Sequence, residues 1–138
     1  MATMYLTRRE VFSASHRLWN QELSESQNSE LYDKCANPNG HGHNFILEVT
    51  FAGTIQGETG FAVDFKKIKS LVRTEIIEKV DHKHLNYDVD FLKGIIPTAE
   101  NIVRAFWHVL NSKQTATKLY SIRLHETENN MVEYRGEE

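Results

Sequence analysis

The chain has a single cysteine among its 138 residues, so an internal disulfide is excluded and the thiol is free to do chemistry. Long apolar runs are missing as well: no stretch of 18 or more residues could span a bilayer, and no charged start leads into a short apolar signal core. That reads as a cytoplasmic protein with no membrane partner. An excess of positive charge is also absent. Net charge is −3 and Lys and Arg are scattered among acids, which leaves no electrostatic footprint for nucleic acid. Proline is scarce, and Pro38 and Pro97 both fall at element boundaries. With no repeat, low-complexity tract or Pro/Ser-rich linker, residues 1–138 read as one domain, and 40 % hydrophobic against 25 % charged residues is ordinary globular composition.

Periodicity supplies the elements. From Met4 to Ser15 the chain alternates, with Leu6, Arg8, Glu10 and Phe12 on one side of a strand that His16 ends. Residues Asn20 to Asn39 are polar and read as a long loop holding one helical turn. A second strand runs from about His43 to Ala52, with Phe45, Leu47, Val49 and Phe51 on one face. Asp64 caps a predicted helix over residues 65–79, whose buried stripe is Phe65, Ile68, Leu71, Val72, Ile76 and Val80. Thr98 caps another, with Ile102, Val103, Phe106, Trp107 and Leu110 inward. Alternation returns over residues 118–127 and 131–135, joined through Glu128-Asn129-Asn130. The order ββααββ predicts an α+β fold: a four-stranded antiparallel sheet with two helices packed on one face. So narrow a sheet needs partners or cover at its edges, which favours assembly.

The chemistry concentrates in Cys35-Ala36-Asn37-Pro38-Asn39-Gly40-His41-Gly42-His43-Asn44. Along a strand, His41 and His43 point the same way with Cα atoms about 6.5–7 Å apart, close enough for both imidazoles to reach one ion. With His16 they make a three-histidine zinc site open to water or substrate. Cys35 is then a fourth ligand, a small buried hydrophobe, or a reactive thiol whose pKa a nearby cation depresses so that it serves as a general base. In Val80-Asp81-His82-Lys83-His84, an imidazole beside a carboxylate reads as a proton-transfer unit or as a polar helix end. Glu126 lies at the hairpin, and Thr98 and Glu100 at a helix start, where an acid suits the macrodipole.

Together Phe12-Ser13-Ala14-Ser15-His16-Arg17-Leu18, the Cys35-to-Asn44 segment, Asp81-His82-Lys83, Thr98-Ala99-Glu100-Asn101 and Glu126-Thr127-Glu128-Asn129-Asn130 resemble the 6-pyruvoyltetrahydropterin synthase family. The resemblance implies the tunnelling fold, in which trimers close a barrel and two trimers stack as a homohexamer. It also implies a lyase that converts 7,8-dihydroneopterin triphosphate to 6-pyruvoyltetrahydropterin, on the way to tetrahydrobiopterin, without an external redox cofactor. His16, His41 and His43 match the zinc ligands, and Cys35 the proton-abstracting residue. Asp81 and His82 match a proton-relay pair approaching from a neighbouring subunit. Glu126 matches the carboxylate that anchors the pterin, with Thr98 and Glu100 near the same pocket. Lys34 and Arg17 are cations available to the triphosphate.

The sibling branch makes 6-carboxytetrahydropterin for deazapurine (queuosine) biosynthesis. The Asn37-Pro38-Asn39-Gly40 stretch between cysteine and histidine looks like the pyruvoyl enzymes, whereas Val63-Asp64-Phe65 is similar to the carboxy branch. A third branch carries glutamate in place of the cysteine. Outside enzymology, a zinc closed by Cys35 could staple the long loop to the sheet; a zinc hydrolase would need no thiol.

Overall fold

A computed structural model describes residues 2–113 and 117–138. Two long strands, β1 (Thr3–His16) and β2 (His41–Thr54), pair antiparallel in register from Thr3↔Thr54 to His16↔His41. Between them lies α1 (Glu25–Tyr32), followed by a 3₁₀ turn over Asp33–Ala36. After β2 comes α2, spanning 65–80, then the two-residue strand β3 (Lys83–His84), α3 (Ala99–Asn111), β4 (Lys118–His125) and β5 (Met131–Tyr134). The sheet order is β3-β1-β2-β4-β5.

The expected α+β architecture is present, with two corrections. The sheet has five strands, because β3 adds to the β1 edge in parallel through Ala14↔Lys83 and Ser15↔His84. Two residues carry no periodicity, so no sequence pattern announces this strand. The polar stretch after Trp19 also holds a two-turn helix rather than one turn. Its start is a capping box in which the Ser24 hydroxyl accepts from the Gln27 amide and the Gln27 side chain accepts from the Ser24 amide.

Side-chain alternation puts the core on one face. Phe12, Phe45, Leu47, Val49 and Phe51 from β1 and β2 are buried against Ile68, Val72, Ile76, Ile102, Val103 and Phe106 from α2 and α3. Each such side chain is worth about 1.5–3 kcal/mol of burial. In β4 a bulge opposite Thr50/Phe51 shifts the phase, so that Leu119 before it and Ile122 and Leu124 after it all face inward. Phe65, expected in the buried stripe of α2, is exposed, since it precedes the point where the helix meets the sheet. The opposite face is mixed, with Tyr5, Val11 and Tyr120 exposed among polar residues. One row across it reads Arg9, Glu48, Arg123, Glu133, alternating in sign from strand to strand. No helix among the described residues is long and apolar enough to cross a membrane.

Glu10 is the one acid on the inward face of β1, and only 6 % exposed. Its carboxylate accepts from Arg8 Nε at 2.7 Å and from Arg73 Nη1 at 2.7 Å, where Arg73 opens the π-helical turn Arg73–Ile77 of α2. Arg73→Met strips one partner from a desolvated charge, with an expected loss of about 1–3 kcal/mol in urea unfolding. Arg73→Lys should recover part of it.

Candidate active site

The inward face of β1 runs Phe12, Ala14, His16, and that of β2 runs Phe45, His43, His41 in the antipodal direction. Antiparallel pairing of His16 with His41 therefore brings all three imidazoles together at one end of the core. Their ligand atoms lie within 4.8 Å of one another. His16 Nε2 and His41 Nε2 are 3.1 Å apart, and the rings of His16, His41 and His43 meet edge to face.

His16 is almost wholly buried, and its Nδ1 lies 2.8 Å from the Pro97 carbonyl. A carbonyl only accepts, so Nδ1 carries the proton and Nε2 presents its lone pair to the other imidazoles. Burial first, and the neighbouring His41 and His43 after it, lower the His16 pKa to about 4. Burial and His41 also lower that of His43, against the raising pull of Glu126. The site is thus built to keep imidazoles neutral, as metal ligands must be.

His41 Nδ1 and His43 Nε2 are buried with no hydrogen-bond partner among the described residues. His41 meets His16 through its Nε2, so the orphan beside the other two imidazoles is His43 Nε2, and the three rings form a cradle that could hold a metal ion. Two nitrogens each bound at 2.0–2.1 Å to a tetrahedral zinc stand about 3.3 Å apart, near the observed separation of His16 and His41. The donor set fits zinc with a coordination position left over.

The turn ahead of β2 is set by its composition. Gly40 N–H donates to the Asn37 carbonyl, Pro38 occupies the corner, and Gly40 adopts φ +76°. A Cβ there would lie 2.8 Å from the His16 carbonyl oxygen and 3.2 Å from His84 Nε2, so only glycine lets the turn close over the end of β1.

Glu126 follows β4 and reaches the same cluster. Its oxygens lie 3.7 Å from His43 Nε2 and 3.9 Å from His16 Nε2. Cys35, half-buried in the 3₁₀ turn, is not one of the three clustered ligands. Its main chain holds the loop to β1, through the Leu18 amide donating to the Cys35 carbonyl at 2.8 Å. The expected depression of the thiol pKa does not come from the protein's own groups. Burial, then the carboxylates of Glu126 and Asp33, push it up; only a cation in the cradle would oppose them.

Asp81 and His82 stand apart from this cluster. Asp81 Oδ1 accepts from the Ser13 amide at 2.9 Å and lies 3.0 Å from His82 Nδ1. The Ser13 amide, then His82, hold the Asp81 carboxyl below the usual carboxylate range. His82 is 83 % exposed and carries φ +62°, a strained backbone for a non-glycine residue. Both residues belong to the β3 edge, where His82, His84, Ser13, Ser15, Asn44 and His43 border an open cavity of ≈ 380 Å³.

Thr98 follows Pro97, but its hydroxyl is engaged in capping α3, accepting from the Asn101 amide. Glu100 is exposed in the first turn. Lys34 is exposed too, while the Arg17 guanidinium donates from Nε to the Ala36 carbonyl and lies 4.0 Å over the Trp19 ring. The Pro97 carbonyl, which sets the tautomer of His16, is a main-chain group that no side-chain motif in the sequence can flag.

Residues 5–137 match the protein family described as 6-pyruvoyl tetrahydropterin synthase. The 6-pyruvoyl tetrahydrobiopterin synthase of Dictyostelium discoideum is 43 % identical over 98 % of both chains. The solved 6-pyruvoyl tetrahydropterin synthase of Caenorhabditis elegans superposes with a TM-score of 0.93 at 34 % identity, covering 99 % of this chain and 98 % of that one. The 6-carboxy-5,6,7,8-tetrahydropterin synthase of Aquifex aeolicus is more distant, 26 % identical over 91 % of this chain and 94 % of its own.

Proposed function

The chain belongs to the 6-pyruvoyl tetrahydropterin synthase family, and on that premise we propose that it converts 7,8-dihydroneopterin triphosphate to 6-pyruvoyltetrahydropterin and triphosphate, as a zinc-dependent cytoplasmic lyase with one catalytic domain over residues 1–138. Four hydrogens leave the two side-chain carbinols: two reduce the ring carbon–nitrogen double bond, one completes the methyl group, and one departs with triphosphate. The redox change is internal, so no outside electron carrier is needed.

The observation that carries this reading is the convergence of His16, His41 and His43 with Glu126 beside them and Cys35 outside the ligand set. Zinc held by the three imidazoles would act as a Lewis acid on the substrate's side-chain oxygens. Cys35 takes the proton from the adjacent carbon. Glu126 anchors the pterin, since a carboxylate can accept two parallel hydrogen bonds from the amino group and ring N–H. His82, oriented by Asp81, returns protons during tautomerisation. Thr98 and Glu100 border the pterin side of the pocket.

The dyad's place at the sheet edge supports its working in a neighbouring subunit's site. A sheet ending in the short strands β3 and β5 supports closure of a trimeric barrel through those edges, with four main antiparallel strands and α2 and α3 on one side, and two trimers stacked as a hexamer.

Val63-Asp64-Phe65, the feature shared with the carboxy branch, has a structural explanation. Asp64 caps α2 by accepting from the Lys66 and Lys67 amides, and Val63 is buried in the core. It therefore carries no weight on product identity, and the higher identity to the pyruvoyl relatives favours pyruvoyl chemistry. Mass analysis of the product formed from dihydroneopterin triphosphate tests this: the side-chain mass should be that of pyruvoyl, and a carboxy side chain would overturn it.

A further inference from the structure

Taking Cys35 as the proton acceptor proposed above, we infer that Asn86 is a positioning residue that locks the end of β1 and, through it, sets the Cys35 loop against the imidazole cluster. The β3 strand proper is two residues long, yet its flanks are zipped to β1 well beyond that. The His82 amide donates to the Ser13 carbonyl at 2.6 Å and the Leu85 amide to the Ser15 carbonyl at 2.7 Å. Beyond Leu85 the backbone pairing stops, and the Asn86 side chain takes its place. Its Oδ1 accepts from the Arg17 amide at 2.8 Å and its Nδ2 donates to the Arg17 carbonyl at 2.8 Å. A carboxamide offers one acceptor and donors side by side, as a peptide group does, so it substitutes for the next residue of a strand. At the other end, the Asp81 carboxylate does the same for the Ser13 amide.

What makes the Arg17 clamp consequential is what else hangs on that residue and its neighbours. His16, the preceding residue, belongs to the cation cradle. Arg17 Nε donates to the Ala36 carbonyl at 3.0 Å, and the following amide, Leu18, donates to the Cys35 carbonyl at 2.8 Å. Among the described residues these two bonds are the hydrogen bonds that join the Cys35 loop to the end of β1, beside the burial of Ala36 and the Gly40 turn that leads into β2. Asn28 is the only buried residue of α1, and the four hydrogen bonds of its side chain, one from the Asn20 amide and three to the Asn20, Leu23 and Ser24 carbonyls, stay within residues 20–28. The 3₁₀ turn is therefore fastened to the sheet chiefly at Arg17 and Leu18, and that anchorage is fixed from the far side by Asn86. The same side chain ties the segment bearing Asp81 and His82 to the segment bearing His16.

A shift of about 1 Å in a reacting group can cost on the order of 10²-fold in rate without changing substrate binding. Asn86→Ala should accordingly lower kcat about 10–100-fold, leave KM within about twofold, retain zinc, and change the rate of Cys35 alkylation by iodoacetamide at fixed pH at least about threefold. Asn86→Asp keeps the acceptor for the Arg17 amide and should recover part of both effects, and it replaces the alanine variant if that fails to fold. Thr7→Val, which removes the exposed Thr7–Thr50 hydroxyl pair on the outer face, controls for a generic loss of stability and should leave both readouts unchanged. Wild-type kcat and wild-type alkylation in Asn86→Ala would overturn the inference, as would changes no larger than those of Thr7→Val. The alkylation rate reports the place of the thiol whether or not Cys35 is the base, so it separates failure of the clamp from failure of the proposed chemistry.

Discussion

Cys35→Ala should lower kcat for 7,8-dihydroneopterin triphosphate by about 10²–10⁴-fold, the range for losing a positioned general base, while zinc content stays at one ion per chain and the melting temperature barely moves. The reason lies in which atoms of Cys35 do what. Its carbonyl accepts the Leu18 amide and so holds the 3₁₀ turn to β1; alanine keeps that carbonyl. Its sulfur is not among the atoms that converge with His16, His41 and His43, so truncation leaves the cradle whole. If zinc instead served as a staple closed by the thiol, the same variant would shed metal and melt earlier. Zinc analysis, a thermal scan and turnover on one preparation separate the two. Full turnover with zinc retained would remove Cys35 from the role of base, and would also be the result expected of a zinc hydrolase.

Stripped of metal, the protein should lose roughly 3 kcal/mol of stability between pH 6.5 and about 4 through His16 alone. The folded-state pKa of His16 is lowered to about 4 from an ordinary 6.5, chiefly by burial. In that window the unfolded chain binds a proton that the folded chain refuses. The stabilisation is therefore complete above pH 6.5 and disappears as the pH falls to about 4. His43, lowered for the same leading reason, adds to the slope. Urea midpoints of chelator-treated protein across this range measure the effect, and His16→Phe, which keeps an aromatic ring against Phe45 without a titrating group, should flatten the curve. An unchanged slope in that variant would show that His16 is not responsible. Protons and zinc compete for the same lone pair, and because folded His16 stays unprotonated down to about pH 4, the metal-loaded protein should hold zinc through most of this window and release it only as the pH nears 4.

Much of this site is legible in the amino-acid sequence. Alternation alone places His16 on the inward face with Phe12, and His41 and His43 with Phe45. Two strands with such stripes must bury them together, which brings the histidines to one end. Asp64 and Thr98 announced their helices because a short polar side chain before an apolar period of three to four has few other uses. Ser24-Glu25-Ser26-Gln27 carries an equally readable capping box for α1, a helix that has no apolar stripe beside it.

What the residues and their order determined is the set of chemical groups and the face each occupies, since both follow from local geometry: a period of two in strands, of 3.6 in helices. What only the tertiary structure decided is which main-chain and short polar groups complete them. The Pro97 carbonyl that sets the tautomer of His16, the carboxamide of Asn86 that stands in for a strand residue, and the two-residue β3 have no periodicity. Their partners lie 81, 69 and 69 residues away in the chain. Such contacts depend on how whole elements dock. The thiol makes the same point: burial, then the carboxylates of Glu126 and Asp33, which the fold brings to Cys35 and no motif reveals, raise its pKa, and the depression expected of a nearby cation would have to work against them.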